Sequence, residues 1–313
     1  MKNETENQTA ENSPQIEKAK NNYLIPTSIF LSILMIAGAW VYSTGYNASQ
    51  KKTVAVNLSD SELTLEEKVL PSNGVVLPVK WEGLGKQLVE SGAIDAKKFE
   101  MIYESRGGLS NEDKNLLYGE NNGNLIINEK NSGLILNLLW AFGLANKNEI
   151  LDNGEMVDPR YGGAGGFAST GGWTLAKGDA MSYYSRYQFI VLTPEQQKLV
   201  DEASKNIYRP CCNNSTHFPD CNHGMAMLGL LELMASQGLS EEEMYKTALQ
   251  VNAYWFPETY LTIAKYFENQ DVSWDRVNAK EILGFDYSSG SGYQNLLQKI
   301  KPEEIKGGGS CGV

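Results

Sequence analysis

The chain's first sustained break from mixed polarity is the run Tyr23 to Tyr46, "YLIPTSIFLSILMIAGAWVYSTGY", which contains no charged side chain. At about 1.5 Å per residue, roughly 20 apolar residues cross a hydrocarbon layer of about 30 Å, so residues 23–46 are expected to form one transmembrane anchor. Tyr23, Trp40, Tyr42 and Tyr46 fall near its ends, where amphipathic rings favour the headgroup layer. Pro26 falls in the first turn, where its missing N–H costs little. Ala37-Gly38-Ala39 resembles a signal-cleavage site, but the preceding stretch carries Glu4, Glu6, Glu11 and Glu17 in place of a basic start. An uncleaved anchor is therefore expected. Residues 1–22 are almost without apolar side chains and read as a disordered tail. Lys18 and Lys20 lie closer to the span than Lys51 and Lys52. The positive-inside rule then keeps the N-terminus inside and places the rest of the chain outside the cytoplasm, as a single-pass protein of the cell membrane.

Beyond the anchor the pattern changes period. Residues 47–80 read as a linker and extended lead-in, with a turn at Pro71-Ser72-Asn73-Gly74 and a β-prone "VVLPV". From Trp81 to Ile300 helical spacing dominates. Leu84, Leu88 and Val89 share a face that stops at Gly92; Asp95 caps the next helix, and Gly107 ends it. "SGLILNLLWAFG" is apolar nearly throughout and predicts a buried helix too short to span a bilayer. Thr193-Pro194-Glu195-Gln196 forms a capping box ahead of an inward stripe of Leu199, Val200, Ala203 and Ile207. Ser240 and Glu243 form a second capping box, and "PETYLTIAKYFENQ", "SWDRVNAKEILG" and "GYQNLLQKI" add further helices. The fold class is mainly α: a membrane helix, then a helical domain over 81–300, then a flexible Gly-rich tail at 301–313 that holds Cys311.

One stretch interrupts the helical text. Asn153 to Gly178 holds seven glycines between Gly162 and Gly178. It lacks the preceding strand and the following Lys-Ser/Thr of a phosphate loop, so a surface loop anchored by Phe167 and Trp173 is expected.

Composition adds mostly exclusions. A net charge of −11 argues against a nucleic-acid partner, which needs clustered Lys and Arg, and against electrostatic docking on anionic lipid. The expected partner is the bilayer itself, through residues 23–46. No Ser/His/Asp order, paired-carboxylate motif or metalloprotease helix marks the chain as an enzyme.

The chemistry gathers in "RPCCNNSTHFPDCNH", Arg209 to His223, which holds three of the four cysteines and both histidines. Cys211 and Cys212 follow one helix. Cys221 and His223 open the next, "HGMAMLGLLELMASQG", which is apolar almost all round and so expected at the centre of the core. A helix N-terminus favours a thiolate at Cys221 and disfavours a protonated His223, the forms that bind Zn²⁺ or Cu(I). Asp220 or Asn222 is the expected cap. The candidate metal ligands are Cys211 or Cys212, Cys221 and His223, with His217 and Cys311 as further candidates. Met225 and Met227 offer thioethers that copper tolerates, although core packing is their simpler role. Two readings compete: a disulfide from Cys211 or Cys212 to Cys221 stapling a non-catalytic envelope or interaction domain, and a thiol-disulfide oxidoreductase. A disulfide has no use for the histidines. Glu232, the lone acid of the apolar helix, is expected at an exposed edge.

Overall fold

In the computed structural model, residues 63–300 are described; the anchor at 23–46, the tail at 1–22 and Cys311 lie outside them. The described residues contain thirteen α-helices and one two-stranded sheet, so the chain is mainly α. None of these helices is long and apolar enough to cross a membrane.

Alternation builds the only pair of strands among the described residues. After a short helix α1 (Leu65–Val69), β1 (Val75–Glu82) turns Leu77, Val79 and Trp81 into the core and the intervening residues outward. It pairs antiparallel with β2 (Asn122–Ile127), with Val76 opposite Ile126 and Lys80 opposite Asn124. The register shifts between Val76 and Lys80, around Pro78, which has no N–H to give a ladder. The β-prone "VVLPV" is thus part of the first strand, whereas Leu65–Val69, earlier in the same expected linker, is helical. Its partner "NGNLII" escapes sequence reading, because half of it is turn-like and only Leu125 and Ile127 are buried.

Three amphipathic helices follow, α2 (Leu84–Ser91), α3 (Ala96–Glu104) and α4 (Asn111–Tyr118); α2 packs on β1 and on α4, and the Trp81 indole N–H donates to the Leu116 carbonyl of α4 at 2.7 Å. Gly92 sits in the left-handed region (φ 87°) and stops α2; Asp95 caps α3 as its spacing predicts. The centre is built from α5 (Ser132–Ala145) and, much later in the chain, α8 (Asn222–Ser236). They cross where Gly143 meets Gly229: a Cβ on Gly143 would lie 2.2 Å from the Met225 carbonyl oxygen, and one on Gly229 2.6 Å from that of Leu139. α7 (Pro194–Asn206) packs against α8, α9 (Glu241–Trp255) packs against both members of this pair, α10 (Pro257–Glu268) packs on α9, and α6 (Glu149–Asn153) follows α5 in the chain. Both expected capping boxes form, Thr193 with Gln196 and Ser240 with Glu243. The stretch 273–299 resolves into a 3₁₀ turn at 274–276 and α11 (Ala279–Ile282), α12 (Phe285–Ser288) and α13 (Gly290–Lys299).

Because α8 is enclosed on every side, Met225, Met227 and Met234 fill core space as expected. The same enclosure corrects the reading of Glu232. It is fully buried instead of edge-exposed, and one carboxyl oxygen accepts a hydrogen bond from Asn146. The Gly-rich segment is also more than a surface loop. Trp173 is buried, donates to the Ala93 carbonyl at 2.9 Å and packs against Trp140 at 4.8 Å. Phe167 meets Phe218, in the cysteine stretch, edge to face at 5.3 Å.

Candidate metal centre

α7 ends at Asn206, and the chain then turns back over its own last turn. Thr216 N–H donates to the Ile207 carbonyl at 2.8 Å, and His217 N–H to the Ser204 carbonyl at 3.0 Å. These bonds fold residues 207–220 into a loop whose two ends lie together at the start of α8. Two neighbours brace it. Ser169 of the Gly-rich segment donates its N–H to the Asp220 carbonyl at 3.1 Å, and Gly290, at the start of α13, donates to the Cys212 carbonyl at 2.8 Å.

Inside the loop lies a group that the sequence reading passed over. Arg209 is only 1% exposed, and its guanidinium organises the surrounding acceptors. Nε donates to the Cys221 sulfur at 3.0 Å. One terminal nitrogen donates to the Asn214 carbonyl at 2.8 Å. The other donates to the Phe218 carbonyl at 3.0 Å and to the Asp220 carboxylate at 2.5 Å. Burial opposes the guanidinium charge, but Cys221, Cys212 and Asp220 hold its pKa above the ordinary value. Gly224 makes room for it: a Cβ there would fall 2.6 Å from the guanidinium carbon.

This arrangement corrects the cap. Asp220 does not cap α8, because Arg209 takes one of its oxygens and the Asn214 amide takes the other at 2.8 Å. Nor does Asn222. The N-cap is Cys221 itself, whose sulfur accepts the Gly224 N–H at 3.5 Å. Hydrogen bonds from the Cys211 and Cys212 thiols, then from His223, together with the Arg209 charge, hold the Cys221 thiol far below its usual pKa. The Cys211 thiol moves the opposite way, pushed up by its bonds to Cys212 and Cys221. The chemical content is one thiolate at Cys221 with a protonated Cys211 against it.

Around that sulfur lie two overlapping donor groups. Cys211, Cys221 and His223 bring their ligand atoms within 4.8 Å of one another, and so do Cys212, Asp220 and Cys221. The Cys211 and Cys221 sulfurs are 3.6 Å apart. A tetrahedral ion with Zn–S bonds of about 2.3 Å separates two sulfurs by roughly 3.8 Å, whereas a disulfide joins them at about 2.05 Å. None of Cys211, Cys212 and Cys221 is joined in a disulfide. His223 is held by aromatic rings, 4.4 Å from Phe256 and 5.8 Å from Trp255 between centroids. A Cys/His group able to hold a metal ion is therefore part of the fold.

The other candidates separate from it. His217 turns away, its Nε2 2.9 Å from Asp201 Oδ1. It lines a different cavity of about 690 Å³ together with Lys147, Gln197, Asp201 and Lys205. Met225 and Met227 are buried in the core. Arg209 and Gly224 were within reach of sequence reasoning only as an arginine and a glycine close to cysteines, and Asp220 only as a possible cap. Which acceptors the guanidinium would meet depends on how the loop closes. Comparison of the chain with protein-family models, with curated proteins and with solved structures finds no match.

Proposed function

We propose that this protein binds a soft or borderline metal ion, Cu(I) or Zn²⁺, through Cys211, Cys221 and His223, and that residues 23–46 tether this domain to the outer face of the cell membrane. One observation carries the metal reading: two sulfurs and an imidazole, brought from a loop and a helix start, converge within 4.8 Å. The donor chemistry supports it further, since thiolate and imidazole together suit these ions and exclude hard cations. The lowered pKa of Cys221 favours the thiolate form that such an ion binds. Cys211, the exposed member, is where an ion would enter. Binding of this kind would make the domain a metal carrier or sensor in preference to an enzyme.

Metal analysis with thiol counting on the full chain in detergent tests this reading. One equivalent of copper or zinc is expected, lost in Cys221→Ser and His223→Ala and kept in His217→Ala. A metal-free chain two hydrogens lighter would reject it in favour of a stapling disulfide between Cys211 and Cys221. Rapid exchange with a dithiol substrate would favour an oxidoreductase. The tether predicts that the chain sediments with membranes in carbonate and is released when residues 1–62 are removed.

A further inference from the structure

We propose that Arg209 is the resident cation of the second donor group, Cys212, Asp220 and Cys221, and thereby limits the centre to a single metal ion. The proposal rests on the reading of Cys211, Cys221 and His223 as the metal-binding set and adds a determinant of its stoichiometry.

A thiolate sulfur has more than one lone pair and can bridge two soft ions. Here Cys221 belongs to both donor groups, so by ligand count alone the loop offers a two-ion cluster bridged by Cys221. The guanidinium stands in the way. It bonds to the Cys221 sulfur at 3.0 Å and to the Asp220 carboxylate at 2.5 Å, which are two of the three donors of the second group. A metal ion there would have to displace a cation that is 1% exposed and satisfied by four acceptors. It would also strip that buried charge of the sulfur and the carboxylate, two of its four acceptors and the two that carry negative charge, which is strongly unfavourable. The first group shares only the Nε contact on Cys221, since its other two donors, His223 and Cys211, accept nothing from Arg209.

Two further residues fit this role. Gly224 is the only residue type at its position that leaves space for the guanidinium, since any Cβ would lie 2.6 Å from its central carbon. Asp220 has both oxygens committed, to Arg209 and to Asn214, and so orients the cation instead of awaiting a metal. Arg209 is a positioning and stoichiometry-setting residue, and Cys212 is left without a metal in the native protein.

The test is a count of tightly held ions in the full chain, by native mass spectrometry after challenge with a chelator, using Zn²⁺ and Cu(I) separately. The native protein and Cys212→Ser should each hold one ion. Arg209→Met should hold two, and Arg209→Met with Cys212→Ser should return to one. A merely structural role for Arg209 predicts loss of metal, never gain. Should Arg209→Met fail to fold, Gly224→Ala, which displaces the guanidinium, is expected to gain the second ion in its place. One ion in both Arg209→Met and Gly224→Ala, two in the native protein, or loss of the ion in Cys212→Ser would each overturn the proposal while leaving the metal site standing. No ion in the native protein would instead remove the site reading on which the proposal rests.

Discussion

At the scale of residues, two ionisable groups behave oppositely, and each predicts a measurable pH effect. Cys221 is held as a thiolate by hydrogen bonds from Cys211 and Cys212, by His223 and by the Arg209 charge, whereas the Cys211 thiol keeps its proton. An ion binding both sulfurs near pH 8 should thus release about one thiol proton instead of two. Calorimetry in buffers of different ionisation enthalpy reads that number directly, and a release of two would show that Cys221 starts protonated. Glu232 is the converse case. Burial raises its pKa well above the usual carboxylate value, opposed by Asn146 and Asn148, and its second oxygen has no partner among the described residues. The folded chain then keeps a proton that the unfolded chain loses above roughly pH 4.5. The associated stability is complete below that pH and falls as pH rises towards the folded-state pKa, by at most about 1.4 kcal/mol per unit. Glu232→Gln, neutral and of the same shape, should flatten this decline. Urea midpoints at pH 5 and pH 8 compare the two proteins; a constant difference between them would mean that the carboxyl is not the source.

Elements add a steric constraint. The α5–α8 crossing depends on backbone approaching backbone, because a Cβ at Gly229 would sit 2.6 Å from the Leu139 oxygen and 2.9 Å from the Gly143 nitrogen. Gly229→Ala forces the two central helices apart and should cost about 1–3 kcal/mol or more. Gly133, in the first turn of α5, has nothing within 4 Å of its virtual Cβ. Gly133→Ala should gain about 0.4–1 kcal/mol by restricting the unfolded chain. Denaturant melts of the two variants would show opposite signs; equal losses would refute the close-crossing account. The spacing of α8 also carries the site. Its first turn presents Cys221, His223 and Gly224, while its remainder is locked in the core, so the sulfur and the imidazole sit on a rigid mount.

For the whole molecule, the site is held by four separate stretches of chain. The loop 207–221 closes on itself, the Gly-rich segment braces Asp220, α13 braces Cys212, and Trp255 and Phe256 hold His223. An ion that binds only this folded arrangement stabilises it by mass action, by about 2.7 kcal/mol at one hundred times its dissociation constant. For a folded unit of this size that corresponds to a rise of roughly 5–10 °C in melting temperature. Zn²⁺ or Cu(I) should raise the melting temperature of the native chain and leave that of Cys221→Ser unchanged. Equal shifts in both would place the bound ion elsewhere.

Local patterning was enough to specify the helical class, the Thr193 and Ser240 capping boxes, the burial of α5 and α8, and the grouping of cysteines with His223. These features depend on side-chain spacing of a few residues, where sequence distance and spatial distance agree. The partner strand β2, the burial of Glu232, the departure of His217 towards Asp201 and the replacement of Asp220 by Cys221 as the cap depended on the tertiary structure. Each is decided by what a distant segment or a folded-back loop supplies. The last follows because a buried guanidinium outcompetes backbone N–H groups for a carboxylate. The sequence names the chemical types available near Cys221. Only the closed loop determines which of them touch its sulfur, and that contact governs the chemistry.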